Sequence, residues 1–368
     1  MSATDANSGP DYSTVMAIED IGAAIDWQAE HAEINAAPCT ARIVRALKAV
    51  LRTDTLTGRR IAGWEGLTLK DAMPLRVAGG LHHLLLSGQD DRLARVYSGQ
   101  IADQQRVDAL VCELVEQFDA QLLPWLDGPP QTNEAGRAAS IMGGLLWLAQ
   151  RTQRKFELFE LGASAGVITM LDRYRFTLGE TVVGPANSPM HIAPEWKGAS
   201  PPAATEDFEI LSVAGCDLAP IDLSDADSAL KLKSYVWPDA PGRMARIDAA
   251  IELASNQPPV LTREDAGAFV KWFLAQPQAG STARVMFHSI MWQYMPESTQ
   301  AAITAQFEAA GELASSDRPL GWVSLETDPK TFRHELKVRL WDGGDHSGET
   351  VLLSHAHPHG AWVEWSGG

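Results

Sequence analysis

Lys155-Phe156-Glu157-Leu158-Phe159-Glu160-Leu161-Gly162-Ala163-Ser164-Ala165-Gly166 is where the grammar of this sequence changes. The run 156–161 is short, apolar and ends in glycine, which reads as a strand entering a turn, and the stretch after it reads as a helix. Further runs of this kind fall at 208–214, 259–262, 284–288 and 320–325, with helical stretches between them. Such alternation predicts a mostly parallel sheet with helices on its faces. The runs 334–341 and 349–355 flank the turn-rich Asp342-Gly343-Gly344-Asp345-His346-Ser347-Gly348 and predict an antiparallel hairpin.

Upstream, the chain reads as helix upon helix. Ile18, Ile21 and Ile25 recur at helical spacing, as do Ile43, Val44, Leu47, Val50 and Leu51, and then Val107, Leu110, Val111, Leu114, Val115 and Phe118. Pro74 suits a helix start before 75–86, and Gly128-Pro129-Pro130 closes a helix near Trp125. The sequence therefore divides into a helical cap domain, 1–150, and an α/β domain, 151–368. The stretch 177–207, rich in Pro, Gly and Ala, gives no clear pattern.

The chain has 368 residues, 45% hydrophobic and 21% charged, which is ordinary globular usage. Its net charge of −17 repels a phosphate backbone, and with no basic cluster nucleic acid is not an expected partner. Cys39, Cys112 and Cys216 are too scattered for a disulfide framework or a thiolate zinc site. The opening residues lack an apolar signal region and no long apolar run follows, so a cytoplasmic protein with a small-molecule substrate and no membrane contact is expected.

The turn Glu160-Leu161-Gly162-Ala163-Ser164-Ala165-Gly166 admits several readings. Small residues between a strand and a helix let a ligand reach backbone N–H groups, and Glu160 can accept from an amine or hydroxyl. The glycines can equally serve backbone sterics alone. The same letters spell G-x-S-x-G, the hydrolase nucleophile elbow, with Ser164 as nucleophile. An elbow normally follows several strands, whereas this turn follows the first, and Glu160 has no task in an elbow.

ELGASAG resembles the E-x-G-x-G-x-G first motif of class I S-adenosylmethionine-dependent methyltransferases, with Ser164 at the middle glycine, and the hairpin looks like that fold's antiparallel edge. Longer stretches, PPQTNEAGR (129–137), ELGASAGVITMLDRYRF (160–176), GCDLAPID (215–222), VWPDAPGRMARIDAA (236–250), VMFHSIMWQYMP (285–296) and HPHGAW (357–362), together resemble the bacterial domain of unknown function 2332. The resemblance implies a Rossmann-like, class I methyltransferase-type sheet behind an N-terminal all-helical domain. It implies S-adenosylmethionine as cofactor, held by Glu160, Gly162, Ser164 and Gly166, with acids after the second and third strands on the ribose and adenine. Asp265, beside Glu264, fits the third strand; Asp217 fits the second by strand order, while Glu180 has the more usual spacing of about 20 residues from the turn.

Four further groups complete the candidates. Gln131-Thr132-Asn133-Glu134 with Arg137 is either a helix cap, with Thr132 or Asn133 as N-cap, or a substrate contact. Asp239, Arg243 and Arg246 follow Trp237-Pro238 and can bind an anion or pair among themselves. His288 and Tyr294 stand at the fourth strand's end, where catalytic side chains of open α/β sheets gather, and His288 is the expected base. His355, His357 and His359 alternate as zinc ligands can, but Pro358 interrupts them and no metal is expected. Asn133, Glu134, Arg137, Asp239, Arg243, His288 and Tyr294 are expected to line a pocket for a polar or ionic acceptor. A cofactor-binding or regulatory module without turnover is the alternative from another class, motivated by Ser164 and by the lack of a recognisable acceptor motif.

Overall fold

The computed structural model describes residues 20–65, 71–131, 133–152 and 154–367. It divides into two compact units, Met1–Thr132 with Leu230–Met244, and Asn133–Ala229 with Ala245–Gly368. The division between them falls near 132.

The first unit is built on α1 (Ile21–Ile34), α2 (Pro38–Val50), α3 (Leu56–Ala62), α4 (Met73–Leu86), α5 (Ala94–Tyr97) and α6 (Gln104–Leu122). The helical periodicities hold: Ile25, Ile43, Val44, Leu47, Val50, Val107, Val111, Leu114 and Val115 are all buried in one apolar cluster. Ile18 lies outside the described residues. Pro38 opens α2, and the free amides of its first turn are capped from afar: Asp239 accepts from Cys39 N at 2.6 Å and from the Thr40 hydroxyl at 2.5 Å.

The second unit begins with α7 (Ala138–Ala149), every residue of which is buried. A helix apolar all round belongs inside a layered structure. Its Gly144 comes so close to the sheet that a Cβ there would lie 2.9 Å from Val323. The strands are β1 (Lys155–Leu161), β2 (Arg175–Leu178), β3 (Thr181–Val183), β4 (His191–Ile192), β5 (Glu195–Gly198), β6 (Glu209–Asp217), β7 (Val260–Arg263), β8 (Ala283–Ser289), β9 (Leu320–Thr327), β10 (His334–Trp341), β11 (Thr350–Ala356) and β12 (Trp362–Trp365). Nine form one sheet in the order β5-β12-β11-β10-β9-β8-β1-β6-β7. β7, β6, β1, β8 and β9 run parallel, and β10, β11 and β12 then alternate in direction, with β5 joining β12 in parallel at the far edge. The region without a clear sequence pattern supplies β5 and the separate sheet β3-β2-β4.

Between the strands run α8 (Ala226–Ser234), α9 (Arg243–Asn256), α10 (Ala266–Leu274) and α11 (Glu297–Gly311). Trp322 packs with Phe307 of α11, while its neighbour Val323 meets α7. Successive strand residues point to opposite faces, so helices cover both faces of the sheet. This is an α/β fold with a large, mostly parallel sheet, an antiparallel C-terminal hairpin and N-terminal helices. No helix among the described residues is long and apolar enough to cross a membrane.

Arg284, buried at the start of β8, ties this layer together. It donates to Glu157 of β1 at 2.9 Å and to the carbonyls of Gln276 and Pro277, both at 2.9 Å, just beyond α10. Removing one partner of a buried pair leaves the other charge uncompensated. Arg284→Met should cost about 3–5 kcal/mol in denaturant unfolding, and adding Glu157→Leu should recover much of that loss. A single variant as stable as the wild type would refute this role.

Candidate functional site

β6 and β7 lie on one side of β1, β8 and β9 on the other. The strand order therefore reverses between β1 and β8, and ligands of open α/β sheets bind beyond the carboxyl ends of the strands at such a point. A cleft of about 270 Å³ opens there, lined by Gly162, Cys216, Asp217, Leu218, Glu264, Asp265, Ala266, Met291, Tyr294, Met295, Pro296 and Thr299. It gathers Gly162, Asp217, Asp265 and Tyr294 from the sequence candidates. A larger cavity, about 480 Å³, lies toward the amino ends of β1 and β6, where Asp172, Arg175 and Glu209 line it, and it holds none of them.

The helix expected after β1 does not form. Gly162, Ser164 and Gly166 have φ of 66°, 53° and 70°, in the left-handed region that interrupts a helix. Turns run instead to the short 3-10 segment Leu171–Arg173. Ser164 adopts backbone that favours glycine, as the motif's middle position would. With no helix to pair them, the turn's amides bond elsewhere: Ala163 N donates to Cys216 O at 2.9 Å, Ser164 N to Asp217 Oδ2 at 2.9 Å, and Val167 N to Asn133 Oδ1 at 2.8 Å. Asn133 thus braces the turn rather than lining the cleft. A Cβ on Gly166 would lie 2.6 Å from Pro259, so that glycine serves packing at the start of β7.

Glu160 points inward, not into the cleft. It is 2% exposed, and the Thr169 hydroxyl donates to its Oε2 at 2.5 Å. Burial pushes its carboxyl up to about 8, with Asp217 adding repulsion and Thr169 and Arg137 opposing the rise. β1 is covered on both faces, so even its last acid is enclosed.

Glu134 and Arg137 are structural as well. Glu134, buried, is the cap of the short turn Ala135–Arg137, accepting from Gly136 N at 3.1 Å and from Arg246 Nε at 2.7 Å; Thr132 lies outside the described residues. Arg137 Nε donates to Pro358 O at 2.8 Å. Gly360, at φ 69°, sits so close to Gly136 that a Cβ on it would lie 2.3 Å from the Gly136 carbonyl carbon. His359 N donates to His357 Nδ1 at 3.0 Å, and His355 Nε2 lies 3.5 Å from Glu335. Among the described residues no group of three or more His, Cys, Asp or Glu is placed to hold a metal.

His288 is not available as a base. Trp322 Nε1, which can only donate, bonds its Nε2 at 2.9 Å, and Nδ1 faces Glu326 Oε1 at 2.7 Å. The free lone pair is spent on Trp322. Tyr294, 60% exposed, stands at the cleft instead. Asp265 caps α10, its Oδ1 accepting from Gly267 N at 2.9 Å and Ala268 N at 3.2 Å. Glu180 donates its backbone N to the Ser200 hydroxyl oxygen and does not line the cleft. Asp239, which caps α2, and Arg243, which lies over the Trp237 ring at 5.3 Å, belong to the first unit. Sequence reasoning missed the apolar wall of Met291, Met295 and Leu218, whose residue types carry no chemical signal of their own.

Fold and cleft define a doubly wound α/β protein with an opening at the switch point of its sheet. The family described as "Uncharacterized protein conserved in bacteria (DUF2332)" matches residues 23–365, and the chain belongs to it. No curated protein and no solved structure matches the chain.

Glu160 makes stability depend on pH. Its folded value near 8 exceeds the ordinary value of about 4.5, so between them the folded state keeps a proton that the unfolded chain has released. Stability should fall as pH rises through that window, by up to about 1.4 kcal/mol per unit. Glu160→Gln should therefore gain stability relative to the wild type from about pH 5 to about pH 8 in denaturant unfolding. Parallel pH profiles would contradict a buried neutral carboxyl.

Proposed function

We propose that the cleft binds S-adenosylmethionine and that the protein is a methyltransferase of the class I type. The observation that carries the reading is the sign of the cleft: Asp217, Glu264 and Asp265 line it, and none of its described lining residues is Lys or Arg. A ligand bearing phosphates would be repelled, and no helix N-terminus after β1 offsets this. A cationic sulfonium with an amino group and a ribose diol presents the positive charge and the donors that carboxylates accept.

The lining fits this ligand with one adjustment. About 270 Å³ falls just under the roughly 300 Å³ at which ligand pockets begin. A Cβ on Gly162 would lie 2.8 Å from the Met291 methyl, so this flexible side chain covers the glycine and must swing aside. Asp217 and Asp265 would hold the ribose and adenine, as the family motif implies. The ring of Tyr294 and the thioethers of Met291 and Met295 give a cation soft, apolar contacts and keep water out. Bound there, S-adenosylmethionine supplies a methyl group on a positively charged sulfur. Alignment of an acceptor with that group is the main catalytic requirement. The side chains that suggested a polar or ionic acceptor are engaged in caps, braces and stacking, so the proposal is confined to the cofactor.

One observation favours the hydrolase reading: Ser164 sits in left-handed backbone on a turn just after a strand. Against it, no helix follows among the described residues, and the lone pair of His288 is taken.

Calorimetric titration tests both. S-adenosylmethionine and S-adenosylhomocysteine should bind, and ATP and NADH should not. Asp265→Asn keeps an α10 cap but removes charge, and should weaken binding by about tenfold, whereas Gly162→Val should abolish it. No heat from either cofactor form at millimolar concentration sinks the reading, and stoichiometric fluorophosphonate labelling at Ser164 would replace it with the hydrolase.

A further inference from the structure

Where β8 leaves the sheet, the backbone is strained. Ile290 has φ 50°, a left-handed conformation in which a β-branched side chain crowds its own backbone. Such conformations persist only where the surroundings over-determine them. Ile290 N donates to Leu325 O at 2.9 Å. The next two amides, Met291 N and Trp292 N, both donate to Glu326 Oε1, at 3.1 and 3.3 Å. That oxygen also accepts from His288 Nδ1 at 2.7 Å.

His288 is fixed in turn. Trp322 Nε1 donates to its Nε2 at 2.9 Å, and the Trp292 ring stacks on it with centroids 4.9 Å apart and planes 18° apart. Neither His288 nor Glu326 lines the cleft, yet the segment they hold supplies Met291, Tyr294 and Met295 to its wall.

We infer that Glu326 and His288 are a positioning pair, which holds the strained exit of β8 so that Met291, Tyr294 and Met295 present a preformed wall to the ligand. The side chain of Met291 can then rotate while its backbone stays anchored. A segment without this anchor would have to be ordered by the ligand, at a cost in affinity. The inference deepens the reading of the cleft as a cofactor site and rests on it for the choice of ligand.

Glu326→Ala removes the shared acceptor, whereas Glu326→Gln keeps a carbonyl oxygen in its place. Two measurements read the consequence. The first needs no ligand: Cys216 lines the cleft, is 1% exposed and has a thiol pushed up to about 12 by burial, so iodoacetamide should modify it slowly in the wild type. Peptide mass spectrometry should show Cys216 alkylated on the order of tenfold faster in Glu326→Ala and at the wild-type rate in Glu326→Gln. The second is the dissociation constant for S-adenosylhomocysteine, which should weaken about tenfold in Glu326→Ala and return in Glu326→Gln.

Unchanged alkylation in the alanine variant overturns the pairing, whatever binds. Faster alkylation with unchanged affinity also overturns it, because the wall then does not set the fit of the ligand. If the wild type binds no S-adenosylhomocysteine while Cys216 responds as expected, the cofactor reading fails and the positioning pair stands. Should Glu326→Ala not fold, His288→Gln takes its place, with the same expected directions in both measurements.

Discussion

The turn after β1 must satisfy its backbone without a helix, and much of the candidate site follows from that. In an ordinary βα unit the amides after the turn pair within the helix. Here left-handed residues interrupt it, and the amides of Ser164 and Val167 bond to side chains 53 and 34 residues away, Asp217 and Asn133. Asp217 also accepts from Ala219 N at 2.9 Å, so one carboxylate fixes both the exit of β6 and the turn beside it. The floor of the cleft is therefore cross-linked by bonds between remote segments.

This brings acids together, and the structure manages their repulsion by burial. Asp217 is among the influences that raise Glu160, whose enclosure keeps it largely protonated near neutral pH. Asp217, half-buried, and the exposed Glu264 and Asp265 line the cleft, whereas Glu160 is enclosed. A carboxylate also has about four acceptor sites, so the bonds that Asp217 and Asp265 accept from backbone amides leave lone pairs for a ligand. Structural capping and ligand binding are compatible at these two positions. They are not at His288, whose Nε2 accepts from Trp322 and whose Nδ1 faces Glu326.

What the sequence made legible follows the range of the forces involved. The hairpin at 334–341 and the strand at 156–161 were readable because alternation and turn residues act locally, and β10 begins and ends where expected. The acids at the ends of β6 and β7 followed from strand order. The missing helix was not readable, since nothing local distinguishes Ser164 in left-handed backbone from Ser164 in a first helical turn. Glu160 was read as facing a ligand because its burial depends on layers packed over both faces of β1. Asn133, Glu134, Arg137 and Asp239 looked like binding groups for the same reason. A polar residue that braces a distant backbone has the same letter as one that meets a substrate. β12 and its pairing with β5 were invisible because that pairing is parallel and closes over some 160 residues of chain.

The local field at the cleft is set by the same backbone choice. A helix starting at the β1 turn would place roughly half a positive charge there, the feature by which many doubly wound proteins hold phosphate. Interrupting it removes that charge, and the amides that would have pointed outward are turned onto Asp217 and Asn133 instead. α10, whose amino end does face this region, has its first amides taken by Asp265. Asp217 and Asp265 thus take up amides of the β1 turn and of α10, and both carboxylates line the cleft. A doubly wound sheet can thus change which backbone groups it offers at its switch point without any change in strand order.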